Sequence, residues 1–112
     1  MSISSQSFFD PRKIDFKRIN SVALFNSLPI LRRLLPGGRI QKNEYLANNP
    51  KRPDRHIGSF KINLKTGKWA DFATGDRGGD LISLVAYIQD VSQSEAARLL
   101  ASMLGIPAEV QR

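Results

Sequence analysis

Two periodicities divide the chain. Ile19, Val22, Ala23, Leu24 and Phe25 recur at helical spacing and fall mostly on one face. Asp10-Pro11 or Asp15 opens this helix, since Asp is a good N-cap and Pro suits the first helical position. Pro29 interrupts it or opens a second helix through Leu31, Leu34 and Leu35, which ends at Pro36-Gly37-Gly38. Near Ser59 the period drops to two, and Phe60, Ile62 and Leu64 share one face of a strand. Lys65-Thr66-Gly67 reads as a three-residue hairpin loop with Gly67 in the left-handed conformation. That register pairs Ile62 with Ala70 and Phe60 with Phe72, leaving Lys61, Asn63, Trp69 and Asp71 on the other face, Lys61 beside Asp71. A two-residue Thr66-Gly67 turn would instead bring Trp69 beside Leu64 on the core face. The three-residue loop is favoured because it buries both phenylalanines, and a slip of one residue reverses every side chain.

Beyond the glycine-rich run Thr74-Gly75-Asp76-Arg77-Gly78-Gly79, Asp80 caps a helix whose body from Leu81 to Ile88 is apolar nearly all round. Such a helix belongs inside a core. Ser92-Gln93-Ser94-Glu95 is a capping box for a last helix with Ala96, Leu99, Leu100 and Met103 as its buried stripe, and Gly105-Ile106-Pro107 stops it. Between these halves Glu44-Tyr45-Leu46-Ala47 suits a short strand, and Asn48-Asn49-Pro50-Lys51-Arg52-Pro53 has turn chemistry, so residues 39–55 read largely as an exposed basic loop. Helices, then strands, then helices predict a small α+β domain, a small antiparallel β-sheet packed with N-terminal and C-terminal helices. Residues 1–14 read as a flexible polar leader. Residues 15–112 read as one domain, with helices over 15–36, a β-hairpin core over 44–74 and helices over 80–105.

Composition narrows the function. A chain of 112 residues suits one domain, which buries roughly two-thirds of its unfolded surface. It has no cysteine, hence neither a disulfide framework nor a thiolate metal site, which suits a cytoplasmic protein. The polar start lacks the apolar stretch of a signal peptide, and no run of about 18 apolar residues could span a membrane. Net charge is +7 with a pI near 10.3. The charge is concentrated: Arg32, Arg33, Arg39, Lys42, Lys51, Arg52, Arg55, Lys61, Lys65 and Lys68 face only Glu44 and Asp54. Clustered cations imply a polyanionic partner, because each phosphate neutralised releases condensed counterions.

Gly58-Ser59-Phe60, Trp69-Ala70-Asp71-Phe72 and Gly78-Gly79-Asp80-Leu81-Ile82-Ser83-Leu84 resemble the zinc-ribbon domain at the N-terminus of bacterial-type DNA primases. Glu95-Ala96-Ala97-Arg98-Leu99-Leu100 and Gly105-Ile106 resemble its last helix and stop, so the likeness covers about residues 45–106. Lys68-Trp69-Ala70-Asp71-Phe72-Ala73-Thr74-Gly75-Asp76 looks like zinc-less versions in plasmid and phage primase-helicase proteins, as do Ile14-Asp15-Phe16 and Leu35-Pro36-Gly37-Gly38. The family's metal site uses three cysteines and a histidine. Here Asp71 and Thr74 take the knuckle positions, and His56 falls away from the histidine's place. The resemblance implies a zinc-ribbon-like hairpin without metal, in a module that grips single-stranded DNA for a primase on a mobile genetic element.

On that reading the nucleic-acid-binding residues are Lys51, Arg52, Arg55, Lys61, Lys65, Lys68 and Trp69. Trp69 is a base-stacking platform flanked by lysines, or else a core anchor of the hairpin, and only strand register separates the two. Lys51, Arg52 and Arg55 lie on a loop that prolines stiffen, suited to phosphate. His56 is a surface or hairpin-edge residue. Asp71, Asp76 and Asp80 could hold magnesium as a carboxylate cluster, but a cross-strand partner for Lys61, a turn former and an N-cap account for them more simply. The fingerprints of dinucleotide and P-loop sites are absent. The chain therefore reads as a non-catalytic module with no cofactor and no metal. Its expected partner is single-stranded DNA. The alternative is an adapter docking a helicase, a polymerase subunit or a primase catalytic domain.

Overall fold

A computed structural model describes residues 9–51 and 58–111. The chain runs β1 (Phe9–Ile14), α1 (Phe16–Phe25), α2 (Ser27–Leu34), β2 (Arg39–Gln41), β3 (Glu44–Ala47), β4 (Phe60–Asn63), β5 (Trp69–Asp71), β6 (Arg77–Gly78), α3 (Leu81–Gln89), α4 (Gln93–Leu104) and β7 (Glu109–Gln111). Strands β2 to β6 form a five-stranded antiparallel sheet in sequence order, while β1 and β7 pair as a separate two-stranded ribbon. The fold is α+β, as the order of periodicities predicts. Residues 9–14, expected within a leader, instead form β1, and just past it Asp15 N donates to Ala108 O at 2.8 Å. Residues 39–41, expected in an exposed loop, form β2 because the two-residue turn Lys42-Asn43 folds them back on β3. Lys42 takes the positive φ of 57° that this turn requires.

Each helix end has a local cause. Asp15 caps α1 by accepting from Arg18 N at 3.2 Å. The break at Asn26 precedes Pro29, which lands in the first turn of α2, where its missing N–H costs nothing. Asp80 and Ser83 form a reciprocal capping box on α3. Asn20 from α1 locks it, donating to Asp80 Oδ2 at 3.1 Å and accepting from Ile82 N at 3.1 Å. Ser92 caps α4, and Gly105 ends it at φ 71°.

Helix α1 packs on α3 and α4, which pack on each other. Leu81, Ile82, Leu84, Val85 and Ala86 of α3 are all buried, so this largely apolar helix is central. On α4 the buried stripe is Ala96, Ala97, Leu100 and Ala101; Leu99, expected inside, is exposed. The sheet's inner face carries Tyr45, Ala47, Phe60, Ile62 and Trp69 into this core. Phe60, Trp69 and Tyr87 meet there as a three-ring cluster, Trp69 and Tyr87 with centroids 4.8 Å apart.

The β4–β5 hairpin departs from both expected registers. Ile62 pairs with Trp69, Lys61 with Ala70 and Phe60 with Asp71, around a four-residue loop, 64–67. Asn63 sets it. Its side-chain oxygen accepts from Lys65 N at 2.8 Å and Thr66 N at 3.0 Å, and its carbonyl accepts from Gly67 N at 2.8 Å. This side-chain-closed turn adds one residue to the loop and reverses the faces. Trp69, 5% exposed, goes inward, and Phe72, 70% exposed, goes outward.

Candidate nucleic-acid interface

The register decides what the outer face of the sheet presents. Residues directly opposite one another share a face. The pairs Arg39–Leu46, Leu46–Lys61, Lys61–Ala70 and Ala70–Arg77 therefore form one row across all five strands. Arg39, Lys61 and Arg77 stand in it two strands apart, about 10 Å at each step. Arg39 and Arg77 are exposed and Lys61 is half-buried, while Leu46, between Arg39 and Lys61, is covered at 3% exposure.

A shallow cleft of about 180 Å³ lies on this face, lined by Glu44, Lys61, Asn63, Lys68, Ala70 and Phe72 and by the edge of Trp69. Lys61 Nζ sits 5.4 Å from the centroid of the Phe72 ring. A cation over an exposed ring is worth about 0.5–1 kcal/mol, enough to bias the ring's orientation. Glu44 is the carboxylate of the cleft. The surface thus combines an open aromatic ring with cations above and beside it. That combination suits a base to stack and a phosphate to pair with lysine.

The sequence-predicted residues divide around this geometry. Lys61 and Lys68 meet at the cleft. Lys65 stands on the hairpin loop and lines a different groove, with Ser21, Leu24, Phe25, Ser27 and Leu64. Lys51 lies over the Tyr87 ring at 4.9 Å and pairs with Asp90 at 3.5 Å, at the far end of α3. Arg52, Arg55 and His56 lie outside the described residues. Trp69 is not a stacking platform. Its indole is buried, its Nε1 donates to Ser83 Oγ at 2.9 Å, and its ring is used against Phe60 and Tyr87. Indole burial removes more apolar surface from water than burial of phenyl, so Phe72 is the aromatic left outside.

This face also carries Phe72, Arg39 and Arg77, none of them among the binding residues predicted from the sequence, although Arg39 belongs to the basic cluster. The signal was Asn63 before Leu64-Lys65-Thr66, a residue whose side chain closes turns.

The carboxylates do separate jobs. Asp71 does not face Lys61; it lies inward, opposite Phe60, and is fully buried. Its Oδ1 accepts from Ala73 N and its Oδ2 from Asn49 Nδ2, both at 2.8 Å. Asp76 accepts from Tyr87 Oη at 2.7 Å, and Asp80 is the cap of α3. Among the described residues no three His, Asp or Glu side chains gather to hold a metal ion, and no helix is long and apolar enough to cross a membrane.

No family model matches the chain, and no curated protein sequence does. Among solved structures the fold is similar to the crystal structure of the Aquifex aeolicus primase, zinc binding and RNA polymerase domains, with a TM-score of 0.64 and 22% sequence identity. The match covers 89% of this chain and 22% of that one. The likeness is one of fold, to about a fifth of that primase's length.

Proposed function

We propose that the chain is a non-catalytic, nucleic-acid-binding module of a primase or other replication system, and that it grips single-stranded DNA across the outer face of its sheet. The observation that carries the reading is Phe72, exposed at 70% in a cleft with Lys61 and Lys68 and beside the row that includes Arg39 and Arg77. In this reading Phe72 stacks on a base, and the lysines and arginines pair with flanking phosphates. Lys51, at the far end of α3, and Lys65, on the hairpin loop, add positive charge elsewhere on the surface, and Arg52 and Arg55 are proposed as phosphate partners on their sequence position alone. Sequence tolerance follows, since every base has a face to stack.

The experiment is fluorescence titration of a short labelled single strand at two ionic strengths. Affinity falls as salt rises, and Phe72→Ala weakens binding by about tenfold or more, since stacking is worth roughly 1–3 kcal/mol per base. The same variant keeps its melting temperature because the ring is outside the core. Affinity indifferent to salt, or a Phe72→Ala protein that binds as wild type does, counts against the reading.

One observation favours a second reading, that of an adapter for a helicase, polymerase or primase subunit. Phe25 is 91% exposed at the α1–α2 corner, beside Leu24 and Leu64. If the module docks through this corner, Phe25→Ser abolishes co-elution with the partner and leaves DNA affinity unchanged.

A further inference from the structure

Four side chains from separate elements meet where the sheet ends against α3. Asn49, just past β3, donates through Nδ2 to Asp71 Oδ2 and to Tyr87 Oη, each at 2.8 Å. Tyr87, on α3, donates to Asp76 Oδ2 at 2.7 Å. Asn49 Oδ1 accepts from Lys51 N at 2.9 Å, and Asp71 Oδ1 accepts from Ala73 N at 2.8 Å. The backbone closes the same turn, with Gly75 N on Asp71 O at 2.7 Å and Asp71 N on Asp76 O at 2.8 Å. Asn49 is 1% exposed and Asp71 0%. Asp76 and its bond from Tyr87 lie at the surface, while around the buried Asn49 and Asp71 the low dielectric makes the bonds support one another, and removal of one partner there strands a buried polar group.

The structurally similar primase includes a zinc binding domain. The residues here do not fit that ion. A structural zinc is held by four cysteine or histidine ligands, and this sequence has no cysteine and one histidine. Both oxygens of Asp71 already accept hydrogen bonds, Thr74 Oγ1 accepts from Asp76 N at 3.1 Å, and Asp76 holds Tyr87.

We propose that Asn49, Asp71, Asp76 and Tyr87 form a metal-independent clasp. It fastens the turn 71–76 and the end of β3 to α3 through these hydrogen bonds, so the domain folds without zinc. The clasp also sets the direction in which the chain leaves toward Lys51. This proposal is independent of DNA binding.

The test begins with the zinc content of the purified full chain and its melting temperature alone, with excess EDTA and with added zinc chloride. Tyr87→Phe, Asn49→Ala and the exposed control Ser94→Ala are melted beside it. The expected result is no stoichiometric zinc and one melting temperature in all three conditions. Tyr87→Phe and Asn49→Ala each melt about 5–15 °C lower, and Ser94→Ala melts as wild type. Tyr87→Phe keeps the ring packed against Trp69 and removes only the hydroxyl, so it decides the matter alone if Asn49→Ala does not fold. One zinc per chain, a lower melting temperature in EDTA, or a Tyr87→Phe protein as stable as wild type overturns the proposal.

Discussion

At Gly78 the absence of a side chain is a packing requirement. A Cβ built there would stand 2.5 Å from Trp69 Nε1 and 2.5 Å from Ser83 Oγ, the two atoms whose hydrogen bond ties the hairpin to α3. Gly78→Ala is expected to destabilise the fold by about 1–3 kcal/mol, as overpacking does, and urea unfolding followed by Trp69 fluorescence reads it. Tyr87 makes a second prediction at this scale. Burial raises its phenol above the ordinary pKa, and the hydrogen bond to Asp76 adds to that, while the one from Asn49 opposes it. A phenol favoured in its neutral form by the fold contributes stability below the unfolded value of about 10, and that contribution is lost as pH climbs through the higher folded value. The difference in phenolate absorbance between wild type and Tyr87→Phe should therefore rise above pH ~10. A midpoint at or below that pH rules the shift out.

The hairpin shows how one polar side chain governs an element. Strict alternation from Phe60 to Leu64 is legible in the sequence and correct for Phe60 and Ile62, which are buried. The partner strand's phase was not legible. It depends on how many residues the loop contains, and Asn63 counts itself into the turn through its side chain. Asn63→Ala removes the two bonds to Lys65 N and Thr66 N. It should cost about 1 kcal/mol by chemical denaturation, with raised amide exchange across the loop. An unchanged midpoint would mean that Trp69 burial alone sets the register. The capping residues Asp15, Asp80, Ser92 and Gly105 were all readable, because a cap is a local event between residues three or four apart. The stripe of α4 was correct at Ala96 and Leu100 but not at exposed Leu99 and half-buried Met103, with Ala97 and Ala101 buried instead, since which side faces inward is chosen by the helices it packs against, α1 and α3.

For the molecule as a whole, the sheet converts a basic sequence into a basic face. Arg39 and Arg77 are separated by most of the chain's basic segment, yet they share a row with Lys61. If that row meets phosphates, neutralising all three with glutamine should lower the slope of log affinity against log salt by about 2 for a single strand, since each phosphate contact contributes roughly 0.7. Circular dichroism should be unaltered. A slope equal to that of wild type would place the phosphate contacts elsewhere.

The α+β class, the four helices, the central burial of residues 81–88 and the excess of cations near the hairpin follow from the sequence by itself. Each rests on interactions between near neighbours or on composition. Tertiary structure decided the register of β5, the inward turn of Trp69 and Asp71, the outward turn of Phe72, the pairing of β1 with β7 and the row formed by Arg39, Lys61 and Arg77. Each of these joins residues distant in sequence, and a shift of one position in one loop exchanges which side chains meet water.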